Sequence, residues 1–346
     1  MKAYFFRYIS RLIFHGEWRR KFLKLILSNE DLLKVAKINY IDKNDIRKKF
    51  STLEKGTHRN TKNNKREKKL IVSLTSFPQR IGEAIYSIYS ILSQTTKPDK
   101  VILWLGENKF PEKEKNLPKA IIDMMEKGLE VRFVEDLKSY TKIIYALEEF
   151  PDDIIVTADD DIFYPETWLE NLYNAYLQNP KMIYANRAKI VNITEDKNMD
   201  YRKWYNISGL ANGLAIRINS YRKWRRFSHP KDDKVNPYRI FFNGKGGVLY
   251  PPHSLYRDVT KREIFKALIP FEDNIWLWGM ALLNGTKISV LTNNINHLTY
   301  VNPERELNIS AERCLSYGNI SYKANDMQIN SLLRKYPDII TKLAQK

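Results

Sequence analysis

The sequence predicts an α/β protein with a mostly parallel β-sheet flanked by helices, preceded by a basic helical appendage. Short apolar runs at 70–75, 101–105 and 154–157 alternate with longer segments in which apolar residues recur every three or four positions. This alternation is typical of parallel strands joined by helices. The first 69 residues are strongly basic and differ in composition from the rest.

Between residues 70 and 165 the alternation is regular. Leu129, Val131 and Phe133 alternate with polar residues and predict a further strand. Helical spacing predicts helices over 81–92, 119–127 and 140–150.

Residues 166–302 are less regular. Apolar runs predict strands near 183–184 and 288–291, and two acids precede a predicted apolar helix over 274–278. We expect four units: an appendage with its linker, two halves of one domain, and a helical tail. Their bounds are 1–69, 70–165, 166–302 and 303–346.

Composition restricts the cellular setting. The single cysteine, Cys314, rules out a disulfide framework and indicates a reducing compartment. No apolar run reaches the ~18 residues of a membrane-spanning helix. The N-terminus has no signal-peptide pattern. We therefore expect a cytoplasmic protein.

Most of the net charge of +18 lies in the appendage. Residues 1–69 carry 13 lysines and seven arginines against seven acids, and the other 277 residues share only +5. Within 1–28, aromatic and aliphatic residues are mixed with cations at helical spacing. Two interpretations stay open: a helix on the cytoplasmic face of the inner membrane, or a helix packed on the main domain. With the first interpretation, a chain that starts near Lys69 is expected to fold alone.

Three consecutive acids, Asp159, Asp160 and Asp161, follow the predicted buried strand over 154–157. Adjacent carboxylates repel one another, so a compensating cation is expected. Mg²⁺ and Mn²⁺ prefer such oxygen ligands and often share them with substrate phosphates. The alternative is a solvated acidic turn that caps the next helix.

Polar residues also follow two other predicted strands. They lie at 75–80, which includes Thr75 and Arg80, and at 135–138, which includes Asp136. Ligands of parallel sheets bind beyond the carboxyl ends of the strands. The three polar segments therefore predict one shared site.

Four blocks, at 72–78, 157–161, 246–252 and 273–276, together resemble a family of bacterial glycosyltransferases from surface-polysaccharide gene clusters. The acidic block is similar to the DXD motif of enzymes with the GT-A fold. The resemblance covers about 70–300. It implies a Rossmann-related GT-A-like sheet, a UDP-type nucleotide-diphosphate sugar donor, Mn²⁺ or Mg²⁺, and a growing or lipid-linked glycan of lipopolysaccharide or capsule as acceptor.

The resemblance also implies roles for individual residues. Asp159 and Asp161 would bind the metal, with His297 either a third ligand or a structural histidine. The other assignments are nucleotide-sugar binding by Thr75, Arg80, Asp136, Lys142, Asp159 and Asp160, and acceptor binding by Gly246, Gly247 and Tyr250. For the two glycines, a tight turn is the favoured alternative. Arg80 and Lys142 could equally be solvated charges.

The general base of an inverting reaction is assigned first to Asp273 and second to Glu272. Two aspartates are expected at these positions, so Glu272 leaves the identity of the catalytic acid open. Because Asp273 starts an apolar helix, we expect it at the rim of the domain.

Two other classes of function compete with this one. The basic appendage suggests a nucleic-acid-binding protein, but the sequence holds no nucleic-acid recognition motif. We therefore expect no nucleic-acid partner. Paired carboxylates also suggest a glycoside hydrolase, which needs neither nucleotide nor metal.

Overall fold

The computed structural model describes residues 39–57, 66–191, 204–208, 215–217, 227–228, 236–291, 298–307 and 322–345. The strands of these ranges are β1 (Asn39–Tyr40), β2 (Leu70–Ser76), β3 (Lys100–Gly106), β4 (Leu129–Val134), β5 (Ile154–Thr157), β6 (Ile162–Phe163), β7 (Met182–Ala185), β8 (Ala188–Ile190), β9 (Tyr205–Ser208), β10 (Ala215–Arg217), β11 (Phe227–Ser228), β12 (Ile240–Phe242), β13 (Val248–Tyr250), β14 (Lys287–Val290) and β15 (Thr299–Tyr300). The helices are α1 (Lys43–Lys49), α2 (Ile81–Leu92), α3 (Lys119–Glu126), α4 (Thr141–Glu149), α5 (Trp168–Gln178), α6 (Arg262–Leu268), α7 (Asp273–Leu283), α8 (Pro303–Leu307), α9 (Tyr322–Lys335) and α10 (Asp338–Ala344).

Seven strands form the central sheet in the order β14-β7-β13-β5-β2-β3-β4. Strands β5, β2, β3 and β4 are parallel to one another, and β14 is parallel to β7. Only β13 runs antiparallel to its neighbours. The predicted class, α/β with a mostly parallel sheet, is confirmed.

Helices cover both faces of this sheet, which explains the unbroken apolar runs of its strands. Along β2, Leu70, Val72 and Leu74 face a core shared with α2, α3 and α5. Ile71 faces the opposite core, which includes residues of α4, α7, α9 and α10. The alternation follows from the two-residue period of a strand.

The acidic triplet does not cap a helix. Asp161 is followed by β6, and α5 begins only at Trp168 with Thr167 as its N-cap residue. Asp160 and Asp161 are also buried. The interpretation as a solvated capping turn is therefore wrong.

Two smaller sheets flank the central one. Strands β11-β10-β9-β8-β12 form an antiparallel sheet. Strands β1-β15-β6 form a small mixed sheet next to the triplet, in which β15 is parallel to β1 and antiparallel to β6. The second sheet joins the appendage to the main domain. Beyond β1, Ile46 packs against Tyr86 and Val301, and Leu53 lies in the core beneath α2.

The predicted membrane helix over 1–28 lies outside the described residues. Within the ranges given above, no helix combines the length and apolar character needed to cross a bilayer.

Candidate active site

The candidate site lies at the carboxyl ends of β2 and β5, the neighbouring central strands of the sheet. Past the end of β5 the pairing continues for one residue, because Ala158 N donates to Ser73 O at 3.0 Å. The acidic triplet then leaves the sheet. Residues 77–80, between β2 and α2, place Arg80 beside it. Two of the three predicted polar segments therefore meet here.

The second and third acids of the triplet share one guanidinium. Arg80 Nη2 lies 2.8 Å from Asp160 Oδ1 and also contacts Asp161 Oδ2. Ser76 Oγ donates to Asp160 Oδ2 at 2.7 Å. Burial raises the pKa of Asp160 to about 7 against the opposing charge of Arg80. A second cation, Arg305, lies 3.8 Å from Asp161 Oδ2.

The first acid of the triplet pairs with Lys142 of α4. The buried Lys142 ammonium lies 2.8 Å from Asp159 Oδ1 and 3.6 Å from Asp273 Oδ2. Burial alone would lower the pKa of Lys142, but these two carboxylates outweigh it and raise the pKa well above its ordinary value. The same ion pair lowers the pKa of Asp159 although burial opposes this. One lysine thus joins the triplet to an acid 114 positions further along the chain.

Asp273 is buried, so the expectation that it lies at the rim of the domain is wrong. Only 3% of its surface is exposed. The first turn of α7 carries it inward, because the following apolar residues bury that helix on nearly every side. Its Oδ2 atom accepts no hydrogen bond from the described part of the chain.

Glu272, the N-cap residue of α7, is half-buried. Burial, and secondly the Asp273 charge, raise the pKa of Glu272 to about 7. Asn274 Nδ2 donates to Glu272 Oε1 and, at 3.3 Å, to Asp273 Oδ1. Lys189 of β8 lies within electrostatic range of Glu272, and burial lowers the pKa of Lys189 to about 8.

Packing explains both glycines of the predicted acceptor loop. Gly247 has a φ of +86°, and a Cβ there would lie 2.5 Å from Trp168 Cζ2. A Cβ on Gly246 would lie 2.9 Å from Arg187 Cγ. Trp168 Nε1 donates to Gly246 O at 2.9 Å. These contacts favour the tight-turn interpretation, and acceptor binding by the two glycines stays a prediction.

Tyr250 of β13 is buried, and its ring packs edge-on against Phe242 at 5.7 Å between centroids. Burial and then the Asp273 charge raise the pKa of Tyr250. Its predicted contact with the acceptor also stays untested.

The predicted nucleotide residues at the ends of β2 and β4 already have partners. Thr75 Oγ1 donates to Trp104 O at 2.9 Å. Asp136 pairs with Lys109 Nζ at 2.6 Å and accepts from Lys138 N at 2.9 Å. Both residues border the same edge of the sheet as the triplet, and nucleotide binding by them stays a prediction.

Ser76, Asn274 and Arg305 make contacts in the site but had no predicted role. Ser76 and Asn274 lie within the blocks 72–78 and 273–276, so their place in these blocks was an available signal. Arg305 gave no such signal, because it lies in the predicted tail and reaches Asp161 only through the β15–β6 pairing.

The carboxylates of the triplet fit a metal ion that binds together with a diphosphate. They do not form a closed site in which protein side chains supply every ligand. No three His, Cys, Asp or Glu side chains of the described ranges are grouped to hold an ion. Arg80, Lys142 and Arg305 already compensate the triplet. An ion that takes one or two carboxylates and completes its shell with phosphate oxygens and water needs only Asp159 and Asp161. His297, the predicted third ligand, lies outside the described residues.

Neither a protein-family model nor a curated protein matches the chain. Several solved structures are similar to it. The structure of S. aureus TarS 1–349 in complex with UDP is 13% identical over 70% of this chain, with a TM-score of 0.37. Without UDP, TarS 1–349 is 12% identical over 78% of this chain and 72% of its own, with a TM-score of 0.39. The mannosyltransferase PcManGT from Pyrobaculum calidifontis, in complex with GDP-Man and Mn²⁺, is 13% identical over 84% of this chain and 75% of its own, with a TM-score of 0.38. The chain spans 63% of the UDP-bound TarS chain.

Proposed function

We propose that this protein is a GT-A-like glycosyltransferase that moves a sugar from a nucleotide-diphosphate donor, with UDP first among the nucleotides, to a glycan. One observation carries the proposal: Lys142 is buried between Asp159 and Asp273. The reaction needs acids at the donor diphosphate and an acid that takes the acceptor proton. Candidates for both roles lie within one ion-paired cluster, at the edge where parallel sheets bind ligands.

On the donor side, Asp159 and Asp161 would hold Mn²⁺ or Mg²⁺ together with the diphosphate. When bound, the ion supplies Lewis-acid neutralisation of the departing phosphate charge. Arg80 and Lys142 add positive charge at the same place, while Thr75 and Asp136 would contact the base or ribose. Asp160 is the alternative ribose contact.

On the acceptor side, Asp273 Oδ2 would take the proton of the attacking hydroxyl. The acceptor oxygen then bonds to the anomeric carbon, the bond from that carbon to the diphosphate breaks, and its electron pair leaves with the diphosphate. Attack opposite the leaving group inverts the anomeric configuration. Glu272 is the second candidate for the base because its pKa of about 7 suits a base at neutral pH.

The acceptor that we propose is a growing or lipid-linked bacterial surface glycan of the lipopolysaccharide or capsule type. A peripheral position on the cytoplasmic face of the inner membrane would bring the enzyme to such a lipid-linked chain. The basic and aromatic composition of 1–28 supports that position.

The test is a panel of nucleotide sugars, with Mn²⁺ present, in which release of the free nucleotide is measured. Asp161→Ala should abolish release and metal-dependent UDP binding. Because Arg80 keeps its contact with Asp160, the variant should stay folded. Asp152→Ala is the matched control, because this aspartate lies before β5 and its side chain is 80% exposed.

Three results would contradict the proposal. Unchanged UDP affinity of Asp161→Ala in Mn²⁺ would remove the triplet from the donor site. Glycan cleavage that persists in EDTA without a nucleotide would indicate a hydrolase, and salt-sensitive DNA binding without turnover would indicate a nucleic-acid-binding protein.

A further inference from the structure

We infer that the ring of Phe271 is the platform on which the acceptor sugar stacks. The acceptor would then be a glycan that presents the C–H face of a sugar ring beside Asp273 and carries an acidic group near that ring. This inference rests on the proposed transferase function and adds a specificity-determining contact to it.

Phe271 is an exposed aromatic residue next to the two predicted catalytic acids. It directly precedes Glu272 and Asp273, yet 53% of its surface is open to solvent. A phenylalanine normally buries a large area on folding. Single exposed apolar residues are common on protein surfaces, so exposure alone would mean little. Its neighbours supply the further observations.

A hydrogen bond to a residue of α9 holds the backbone at Phe271. Phe271 N donates to Gln328 Oε1 at 3.1 Å, and Gln328 is itself buried. The other end of the same amide, Nε2, donates to Ala324 O at 3.2 Å within that helix. The backbone that carries the ring therefore need not be ordered when a ligand binds, which favours affinity.

The ring also contacts the donor side of the site. Lys138 Nζ lies 5.8 Å from the Phe271 ring centroid. The backbone of Lys138 is in the left-handed region, with a φ of 58°, and its N–H donates to the carboxylate of Asp136. Strained residues of this kind cluster at ligand-binding sites. The Phe271 ring therefore contacts a residue that binds the predicted nucleotide residue Asp136, and in the chain it stands two positions before the predicted base Asp273.

These contacts indicate the chemistry of the ligand. A sugar ring has an apolar C–H face and a rim of hydroxyl groups. Stacking that face on Phe271 would leave a rim hydroxyl free to approach Asp273. Among the described residues, no carboxylate lies within salt-bridge distance of the Lys138 ammonium. A uronate or phosphate next to the stacked ring would meet that charge.

The experiment measures binding directly, by saturation-transfer NMR on the full chain with UDP and Mn²⁺. The probes are methyl hexosides, methyl N-acetylhexosaminides and methyl uronosides. Phe271→Ala should raise the glycoside Kd about five- to tenfold, the range expected for loss of one aromatic contact. Phe271→Leu keeps apolar bulk without a π face and should lose as much, whereas Phe271→Trp should retain binding.

Lys138→Met should weaken binding of the methyl uronosides and leave the neutral glycosides unchanged. Leu177→Ala removes an equally exposed apolar group on α5 and should change nothing. UDP affinity should be the same in all of these variants.

The inference is overturned if the wild-type chain binds no methyl glycoside, or if Phe271→Leu binds them as the wild type does. Nucleotide-sugar hydrolysis by water reports separately on the proposed reaction. Glycan binding that depends on Phe271, without hydrolysis of any donor, would leave the platform in place and refute the transferase.

Discussion

Glu272 and Asp273 are neighbours in sequence whose different environments suit them to different tasks. Asp273 is buried against the Lys142 ammonium, 3.6 Å away. Glu272 has a pKa raised to about 7 by burial and by the Asp273 charge. Asp273 stays the first candidate for the base and Glu272 the second, and the two acids can be separated by experiment.

Asp273→Asn should retain UDP binding and lose at least ~10²-fold in turnover, the usual loss for a general base. Helix-terminal charge stabilisation contributes only ~0.3–1 kcal/mol to stability and would leave the rate unchanged. Turnover and UDP affinity are measured side by side, with Glu272→Gln as the matched variant. If Glu272→Gln alone loses turnover, and wild-type activity rises with pH through about 7, then Glu272 is the base. Retention of the donor's anomeric configuration would contradict an inverting base at either position.

The raised pKa of Glu272 also predicts how the stability of the protein depends on pH. Folding holds a proton on Glu272 up to about pH 7, whereas its ordinary pKa is 4.5. The stability from this proton is complete below pH 4.5 and is lost as pH rises through 7. Glu272→Gln mimics the protonated form, so its gain in stability over the wild type should be small near pH 5. At pH 8 its free energy of unfolding should be higher than that of the wild type, on the order of 1–3 kcal/mol.

Urea unfolding at the two pH values measures this difference. The pKa of Asp160 is also raised to about 7, so Asp160 makes the same kind of pH-dependent contribution to stability. Both proteins contain Asp160, so this contribution cancels when they are compared. An equal effect of Glu272→Gln at pH 5 and pH 8 would contradict the assignment.

At the scale of elements, Lys142 connects three parts of the fold. It lies at the start of α4 and pairs with Asp159 after β5 and with Asp273 at the start of α7. Removal of one partner from a buried ion pair typically costs ~3–5 kcal/mol, because the other charge is left uncompensated. The apolar packing of α7 is therefore supplemented by an ion pair with the sheet side of the site.

Lys142→Met should lower the free energy of unfolding by ~3–5 kcal/mol. Adding Asp273→Asn should recover ~1–2 kcal/mol, because one of the two stranded carboxylates is then neutral. Lys119→Met is the control: the side chain of Lys119 is 85% exposed and pairs with Asp123, and exposed pairs contribute at most ~1 kcal/mol. Strict additivity of Lys142→Met and Asp273→Asn would argue against the connection.

For the whole molecule, the described part of the appendage belongs to the packed structure. Residues 39–40 pair with β15, Ile46 packs against Tyr86 and Val301, and Leu53 lies in the core. Strand β15 in turn pairs with β6, directly after the triplet. The packing thus favours a functional boundary before Asn39 and not near Lys69.

Two truncations test this boundary. A chain that begins at Asn39 should fold and hydrolyse a soluble donor, but should lose sedimentation with anionic lipid vesicles. A chain that begins at Lys69 lacks Ile46 and Leu53 and should be less stable by at least ~2 kcal/mol, the cost of removing one buried aliphatic side chain. Equal stability of the two chains would restore the boundary near Lys69. Undiminished vesicle binding by the chain from Asn39 would refute a membrane role for the segment before it.

The sequence by itself determined the layered α/β class and most elements of its first half. Strand β2 and helix α2 were predicted within a residue of their observed bounds, because apolar runs and the 3.6-residue period are local properties of the chain. The triplet and the Glu272–Asp273 pair were found in the same way, from acids beside apolar runs.

The tertiary structure decided which of these acids are neighbours. Nothing in the sequence predicted that Lys142 would pair with both Asp159 and Asp273. Arg305 belongs to the predicted helical tail, for which no functional role was predicted. The burial of Asp273 was likewise not predicted, since the depth of a helix start depends on what packs around it. Pairings across more than a hundred residues arise from strand order and helix packing, and local periodicity holds no information about them.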